Sequence, residues 1–470
     1  MFLKKPPLIV WVLLAGLVLR LGIFFAFPST WKLYIVDEKD YNQLAVHLVD
    51  TGMFQAGGEL VSIRPPLYPW FLSQIYKVWG SENYSAVRLF QIALSLATVG
   101  CVYGMAREFS DTLSERGALL AAALFCLYPS MVGENFLLLT ETLFTFWLVL
   151  VLWTATRFFR TGSLYAVCFC GVFMALGALT RSILWMAPVP FALFLLFWPS
   201  WMGWKRRLAG AFLLVLFAGT VMAPWMIRNT RVQRTFTAID CMSGRNLMMG
   251  NYEHTPFYRA WDAVGVPAPN DWYTVLLRDG ETRGEQLYRE TQGVVDRRAG
   301  EYAKRFILQN PGLTLRRDAM KACCFWQLER SLLAGFDYGF WGISSWSLEK
   351  RLLLFVLLGG VIQLCYVFVL YSAMAGIFST RFSSWSGMAA VFLLCVVVYF
   401  WGIHSLIFSH ERYHLPLVPI LTLFAAMFWS QYAARWEFLK THPKRLVSGG
   451  VVAMGLLAFW IWEIFLVLPV

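Results

Sequence analysis

Apolar runs of about 20 residues recur along this chain, and each is long enough to cross a hydrocarbon core about 30 Å thick as a helix. The first covers residues 7–27, PLIVWVLLAGLVLRLGIFFAF, and others lie near 86–106, 116–133, 138–158, 164–180, 183–200, 208–227, 351–373, 386–408, 414–434 and 447–468. They predict an all-α membrane protein of about eleven transmembrane helices, with extracytoplasmic loops carrying short amphipathic helices. Two lysines precede the first run but no small-residue cleavage site follows it, so it reads as a retained span rather than a cleaved signal. Hydrophobic residues make up 58% of the 470 and charged residues 14%, against about 45–50% and about 25% in soluble domains. Those proportions exclude a cytosolic enzyme, a disordered chain and a small disulfide scaffold.

The basic residues orient the spans. With the N-terminus inside, the inner ends carry Lys4/Lys5, Arg107/Arg116, Arg157/Arg160, Lys205/Arg206/Arg207, Arg381 and Arg435/Lys440/Lys444/Arg445, as the positive-inside rule asks. The net charge of +12 is therefore read as contact with membrane lipids, not with nucleic acid. Three segments fall outside: 28–85, the short turn 133–137, and 228–350. They divide the chain into an N-terminal transmembrane module with the first outer loop (1–227), a large extracytoplasmic loop (228–350) and C-terminal transmembrane helices (351–470). Within the large loop, 284–309 has helical apolar spacing and is expected to end at Asn310-Pro311. The stretch 313–334 has the pattern of an interfacial helix. Cys241 could pair with Cys323 or Cys324, a choice that spacing leaves open.

Ionisable residues at a membrane boundary are costly and mark functional sites by default. Asp37 and Glu38 open the first outer segment. Arg64 stands in IRPPLYPW (63–70), where two prolines make a rigid turn that holds a cation near the outer interface. Glu134 and Glu141, in GENFLLLTETLF, are two helical turns apart and share one face if both are helical; Glu134 reads equally as a helix N-terminal acid. Arg181 and Arg228 end spans on the same side. Residues 404–421, HSLIFSHERYHLPLVPIL, bring His404, His410, Glu411, Arg412, Tyr413 and His414 together. The spacing of these histidines matches no known zinc pattern, whereas Arg412 beside Tyr413 suits a phosphate. The outer interface thus gathers acids with arginines, the inventory for a base near an acceptor and clamps for an anionic leaving group.

At these residues the sequence resembles the protein O-mannosyltransferases and the lipid A aminoarabinose transferases, polytopic glycosyltransferases of the type C fold. Asp-Glu in the first outer loop, followed by a basic residue before Pro-Pro, carries the likeness, with Arg64 where those families have His or Lys. LLLTETLF, APWMIRN, NLMMGNY, ILQNPGLTL and ERYHLPLVP resemble the bacterial, family 39-like branch, and the likeness extends over residues 37–419. The resemblance implies a polyprenyl-phosphate-linked sugar donor and a glycan, lipid or protein acceptor. Transfer would take place on the periplasmic face of a bacterial inner membrane. It implies Asp37 as general base, with Glu38 and Glu141 positioning acceptor or sugar. Arg64 would hold the donor phosphate, helped by Arg228, Arg412 and Tyr413. One base and no second nucleophile favour inverting single displacement. No cofactor is expected. The Asp37–Glu38 pair could bind a divalent metal, but Arg64 already supplies charge for the phosphate. The alternative is a transporter or flippase of a lipid-linked or anionic substrate. That reading calls for internal repeats and helices broken at mid-membrane, whereas this chain shows no repeat and gathers its polar residues at one face.

Overall fold

The computed structural model describes residues 7–27, 33, 35–57, 60–198, 201–277, 282, 285, 290–333, 347–382 and 385–467. Its helices are α1 (Leu8–Ala26), α2 (Val36–Thr51), α3 (Leu67–Trp79), α4 (Tyr84–Glu108), α5 (Glu115–Cys126), α6 (Pro129–Gly133), α7 (Glu141–Thr161), α8 (Leu164–Thr180), α9 (Pro188–Phe197) and α10 (Trp204–Gln233). They continue with α11 (Ser243–Met249), α12 (Gln292–Gln309), α13 (Pro311–Cys324), α14 (Leu348–Phe378), α15 (Trp385–Leu406), α16 (Val418–Ser430), α17 (Tyr432–Thr441) and α18 (Pro443–Trp462). Among the described residues the only strand-like pairing is an isolated bridge between Ala56 and Leu60.

Among the described residues eight helices are long and apolar enough to cross a membrane, and α5 with α6 and the turn after it, bent by 58°, makes up to nine. Two more of the predicted runs fold as shorter apolar helices, Leu164–Thr180 and Ser182–Phe197. The expected count of about eleven is therefore reached only if these short helices also cross. Glu134 and Glu141 do not lie on one helix, so the condition for their sharing a helical face is not met. Glu134–Phe136 is a 3-10 turn, residues 137–140 are non-helical, and α7 begins at Glu141. The amphipathic stretch 284–309 appears as Gln292–Gln309, its residues 284 and 286–289 lying outside the described set, and it stops at Asn310 with Pro311 opening α13. All nine cysteines are free, so Cys241 pairs with neither Cys323 nor Cys324.

Two polar devices hold the bundle. Arg20, in the middle of α1, is fully buried; it donates from Nε to Asn135 Oδ1 (2.9 Å), from Nη1 to the Cys126 carbonyl (3.0 Å) and from Nη2 to Ser95 Oγ (3.1 Å). The first span is thereby tied to α4 and to the bend after α5. The second device supports the segment 134–140, a 3-10 turn followed by non-helical chain, which is buried throughout. Backbone groups at this depth must find partners inside the protein. Arg88 Nε donates to the Phe136 carbonyl, Gln91 Nε2 donates to those of Asn135 and Leu137, and Leu138 N–H donates to Glu38 Oε1.

The two ends of α7 carry opposite charge. Glu141 is its first residue, while Arg157 and Arg160 in its last turns pair with Glu108 at the end of α4 (3.2 and 3.1 Å). The segment after α10 has a core of its own, in which Met248, Tyr252, Ala263, Val295 and Ala303 pack with Phe408.

The backbones of α14 and α16 approach closely, so that a Cβ added at Gly376 would collide with the Phe424 carbonyl oxygen. Neither helix backbone can yield, so Gly376→Ala should destabilise the protein by about 1–3 kcal/mol. Gly360→Ala on the same helix meets nothing within 4 Å and should leave the midpoint unchanged or raise it. Thermal unfolding of both variants in one detergent checks the contrast; equal midpoints would contradict the packing.

Candidate active site

The acids of the first outer segment lie on the opening turns of α2. Glu38 accepts the Ile35 N–H (3.2 Å) as a capping acid, which fixes the start of the helix. Asp37 and Asp40, three apart, therefore project from one face. Arg64 meets both. Its Nη2 donates to Asp37 Oδ1 (2.6 Å) and to Asp40 Oδ2 (2.7 Å), and its Nε donates to Asp40 Oδ2 (3.0 Å). Pro65 and Pro66 precede α3 and hold this turn in place. The guanidinium also lies 5.5 Å from the centre of the Tyr41 ring.

A second acid comes from the membrane side. Glu141 is 1% exposed; its Oε1 accepts from Arg181 Nη1 (2.7 Å) and lies 2.9 Å from Arg412 Nε. Arg412 also reaches Asp37, its Nη2 donating to Oδ2 at 3.4 Å. The groups form one alternating chain: Arg64, Asp37, Arg412, Glu141, Arg181. Tyr413 does not touch an acid. Its ring stacks on His404 (4.2 Å between centroids) and lies 5.6 Å beneath the Arg181 guanidinium.

The electrostatics of the rim follow from this chain. Burial would raise the Asp37 carboxyl, but Arg64 and Arg412 outweigh it and hold it below the usual carboxylate range. Asp37 is thus an anion at neutral pH. Burial acts against the Arg64 charge, and Asp37 with Tyr41 and Asp40 more than restores it, so the guanidinium is firmly cationic. Asp240 lies within electrostatic reach of Arg64; burial pushes it up to about 6.

Two predicted site residues are placed elsewhere. Both Glu38 oxygens accept backbone N–H groups, from Ile35 and Leu138, and the residue is 2% exposed. Its geometry is that of a brace between α2 and the segment before Glu141. Arg228 is likewise engaged. It donates to the carbonyls of Val61 and Phe54 and to Ser62 Oγ, with its guanidinium 4.8 Å from the Trp225 ring centre. It fastens the loop that leads to Arg64. Conversely, Asp40 pairs with Arg64 although it is not among the predicted site residues, and Arg181, read as one of the arginines gathered at the outer interface but given no role, stands in the charged chain. Asp40 was legible from its i,i+3 phase with Asp37, and Arg181 from its place at the outer end of a span.

Glu134 sits behind the chain, 1% exposed and with neither carboxylate oxygen hydrogen-bonded. It faces a cavity about the size of one water, which Ser130, Glu329, Ser331, Glu411 and Arg412 also line. The histidines of 404–414 do not converge. His414 Nε2 lies 2.9 Å from Glu329 Oε1, and His410 Nδ1 3.1 Å from Glu411 Oε2. Among the described residues no group of three or more His, Cys, Asp or Glu is arranged to hold a metal.

Residues 63–227 match the family model for dolichyl-phosphate-mannose-protein mannosyltransferases. Comparison with curated proteins returns no match. Among solved structures, the apo oligosaccharyltransferase of Archaeoglobus fulgidus superposes with a TM-score of 0.52 at 13% identity, covering 96% of this chain and 55% of that one. The archaeal oligosaccharyltransferase AglB from the same organism, in complex with an inhibitory peptide and a dolichol-phosphate, gives 0.53 at 12% identity with the same coverage. ArnT from Cupriavidus metallidurans, bound to undecaprenyl phosphate, gives 0.40 at 14% identity, covering 89% of this chain and 76% of that one. The chain spans about half the length of the archaeal enzymes it matches. Its fold is that of the type C glycosyltransferases, and it resembles the O-mannosyltransferases.

The raised Asp240 carboxyl has a thermodynamic consequence. Folded, it takes up a proton near pH 6, against an ordinary value of 3.8. Between these values the folded state binds more protons than the unfolded one, so stability falls as pH rises. Asp240→Asn keeps an acceptor for the Met242 N–H and carries no charge. It should gain on the wild type by up to about 3 kcal/mol between pH 4 and pH 7. Unfolding midpoints across that range check the sign; a constant offset between the two proteins would contradict it.

Proposed function

We propose that this protein is an integral membrane glycosyltransferase that moves a sugar from a polyprenyl-phosphate donor to an acceptor hydroxyl. The acceptor is a glycan, lipid or protein, the reaction takes place on the periplasmic side of a bacterial inner membrane, and it proceeds by inverting single displacement. The observation that carries the reading is the arginine chain at the mouth of the fold. Arg64, Arg412 and Arg181 are held by Asp37, Asp40 and Glu141, so the site is close to neutral before substrate arrives and retains unused N–H donors. The family match over 63–227 and the type C fold support the same class.

Each group then has a chemical part. The donor phosphate is drawn to Arg64 and Arg412, whose guanidinium forks suit an oxyanion. Both arginines bind Asp37 in the unliganded site, so a phosphate that shares them loosens their hold on that carboxylate. Asp37 then accepts the proton of the acceptor hydroxyl. The acceptor oxygen bonds to the anomeric carbon as the bond from that carbon to the phosphate oxygen breaks, and polyprenyl phosphate departs as the anion. Its developing charge is met by fixed guanidinia rather than by a proton donor. Arg181, braced by Glu141 and seated on Tyr413, extends the positive wall. On this reading Glu38 and Arg228 serve the framework.

Asp37→Asn should lower transfer by roughly 10²–10⁴-fold while leaving donor binding largely intact. Glu38→Gln should lose stability rather than chemistry, because a buried N–H loses its carboxylate partner. Purified enzyme with a defined polyprenyl-phosphate sugar gives both numbers. Near wild-type turnover in Asp37→Asn would remove it as the base, and intact donor binding would separate that failure from misfolding.

Arg64→Ala should weaken donor binding by about one to two orders of magnitude, since a charge-assisted contact is worth about 1.5–3 kcal/mol. Turnover should fall with it, and Arg64→Lys should recover part of both. Titration with the prenyl-phosphate donor is the measurement. Unchanged affinity and rate in Arg64→Ala would shift the clamp to Arg412 and Arg181.

A further inference from the structure

At the opposite, inner end of the bundle, three arginines converge from separate elements. Arg381 follows the end of α14, Arg435 lies on α17 and Arg445 on α18. Arg445 Nη1 donates to the Thr380 carbonyl (2.7 Å) and the Phe378 carbonyl (3.4 Å), and Arg435 Nη1 donates to Ser379 Oγ (3.3 Å). Both therefore gather around the C-terminus of α14, whose last carbonyls attract cations. Arg381 and Arg445 lie over one ring, that of Phe438, at 5.2 and 5.3 Å from its centre.

Helix capping does not account for the whole cluster. Arg435 is 8% exposed and its Nε has no hydrogen-bond partner. Among the described residues no carboxylate pairs with Arg381, Arg435 or Arg445. The acid nearest in sequence to Arg435, Glu437, is exposed and paired with Lys440 at 3.2 Å. Burial and the neighbouring Arg381 charge push Arg435 down to about 10. Three guanidinium groups around one turn with no anion between them are an incomplete electrostatic arrangement. Arg381 is exposed and Arg445 half-buried, so the cluster is open from outside.

The surroundings indicate what completes it. Trp429, Tyr432 and Trp436 form an exposed ladder beside it, with centroids 5.4 and 6.4 Å apart and rings within 12° and 7° of parallel. Exposed Trp and Tyr mark the interfacial depth of a bilayer, at headgroup level. Basic pockets between spans on the inner side suit anionic lipid headgroups. We propose that Arg381, Arg435 and Arg445 form a binding site for the phosphate of an anionic phospholipid at the inner membrane interface, with its acyl chains along the Trp429–Tyr432–Trp436 ladder. The site is independent of the transfer reaction and lies at the other end of the spans.

Native mass spectrometry of the full chain, delipidated in detergent and titrated with phosphatidylglycerol, phosphatidylcholine or inorganic phosphate, tests this. Phosphatidylglycerol should bind well above the other two, and millimolar inorganic phosphate should not displace it. Among the described residues the Arg381 side chain has only a ring contact, so Arg381→Gln should fold normally and weaken phosphatidylglycerol binding about fivefold, the worth of one interfacial cation. Arg381→Lys should restore most of it. Arg435→Gln should weaken it further, with its unfolding midpoint in lipid-free detergent recorded alongside. Equal binding of phosphatidylcholine, displacement by inorganic phosphate, or an unchanged affinity in Arg381→Gln would each overturn the proposal.

Discussion

The alternating chain from Arg64 through Asp37, Arg412 and Glu141 to Arg181 is the interaction on which this end of the molecule depends. Its members come from the first outer segment, the start of α7, the end of α8 and the turn before α16. A buried charge that loses its partner is strongly destabilising, whereas a complete array is near neutral in its net effect. The array therefore acts less as a source of stability than as a condition on assembly, because these four elements must meet together. The same condition leaves guanidinium donors aimed at one small volume. On the proposed function, fold and chemistry would share a single set of contacts.

That arrangement requires a break in regular structure. If 129–161 were one continuous helix, Glu141 would lie within it and not at a helix start beside Arg412. The non-helical segment 137–140 makes the start possible, and Glu38, Arg88 and Gln91 satisfy the backbone groups of residues 136–138 that helix formation would have paired. One of the two adjacent acids in the first outer segment is thus used by the framework and the other faces the cluster. Their side chains diverge because consecutive helical positions point about 100° apart.

Much of this was legible in the sequence, because charge at a membrane boundary is conspicuous. Arg64 and Glu141 stand out against uncharged neighbours, Asp37 and Arg412 belong to short polar clusters beside apolar runs, and the geometry brings these four together. Glu38 and Arg228 stand out equally, yet their partners are backbone groups from distant segments, which no local pattern announces. Asp40 is masked by its own neighbourhood, since DEKD offers several charges and only helical phase selects among them. The runs of apolar residues mapped to helices, but run length alone does not separate a full span from the shorter α8 and α9. The bend between α5 and α6 falls at Pro129, a helix start rather than an interior kink.

Arg20 has a consequence for how the chain is made. It lies within the first span, and its partners Ser95, Cys126 and Asn135 belong to segments synthesised later. Until they arrive, α1 carries an unneutralised guanidinium that costs about 2.5–3.5 kcal/mol at the bilayer centre on insertion scales. The long apolar remainder of α1 offsets this, but the helix is not at its resting place. Biogenesis thus has a built-in waiting step: the first span is translated first and is seated only after the polypeptide has grown past residue 135. Slow release of α1 from the insertion machinery, relieved in an Arg20→Leu chain, is how that delay would register during synthesis.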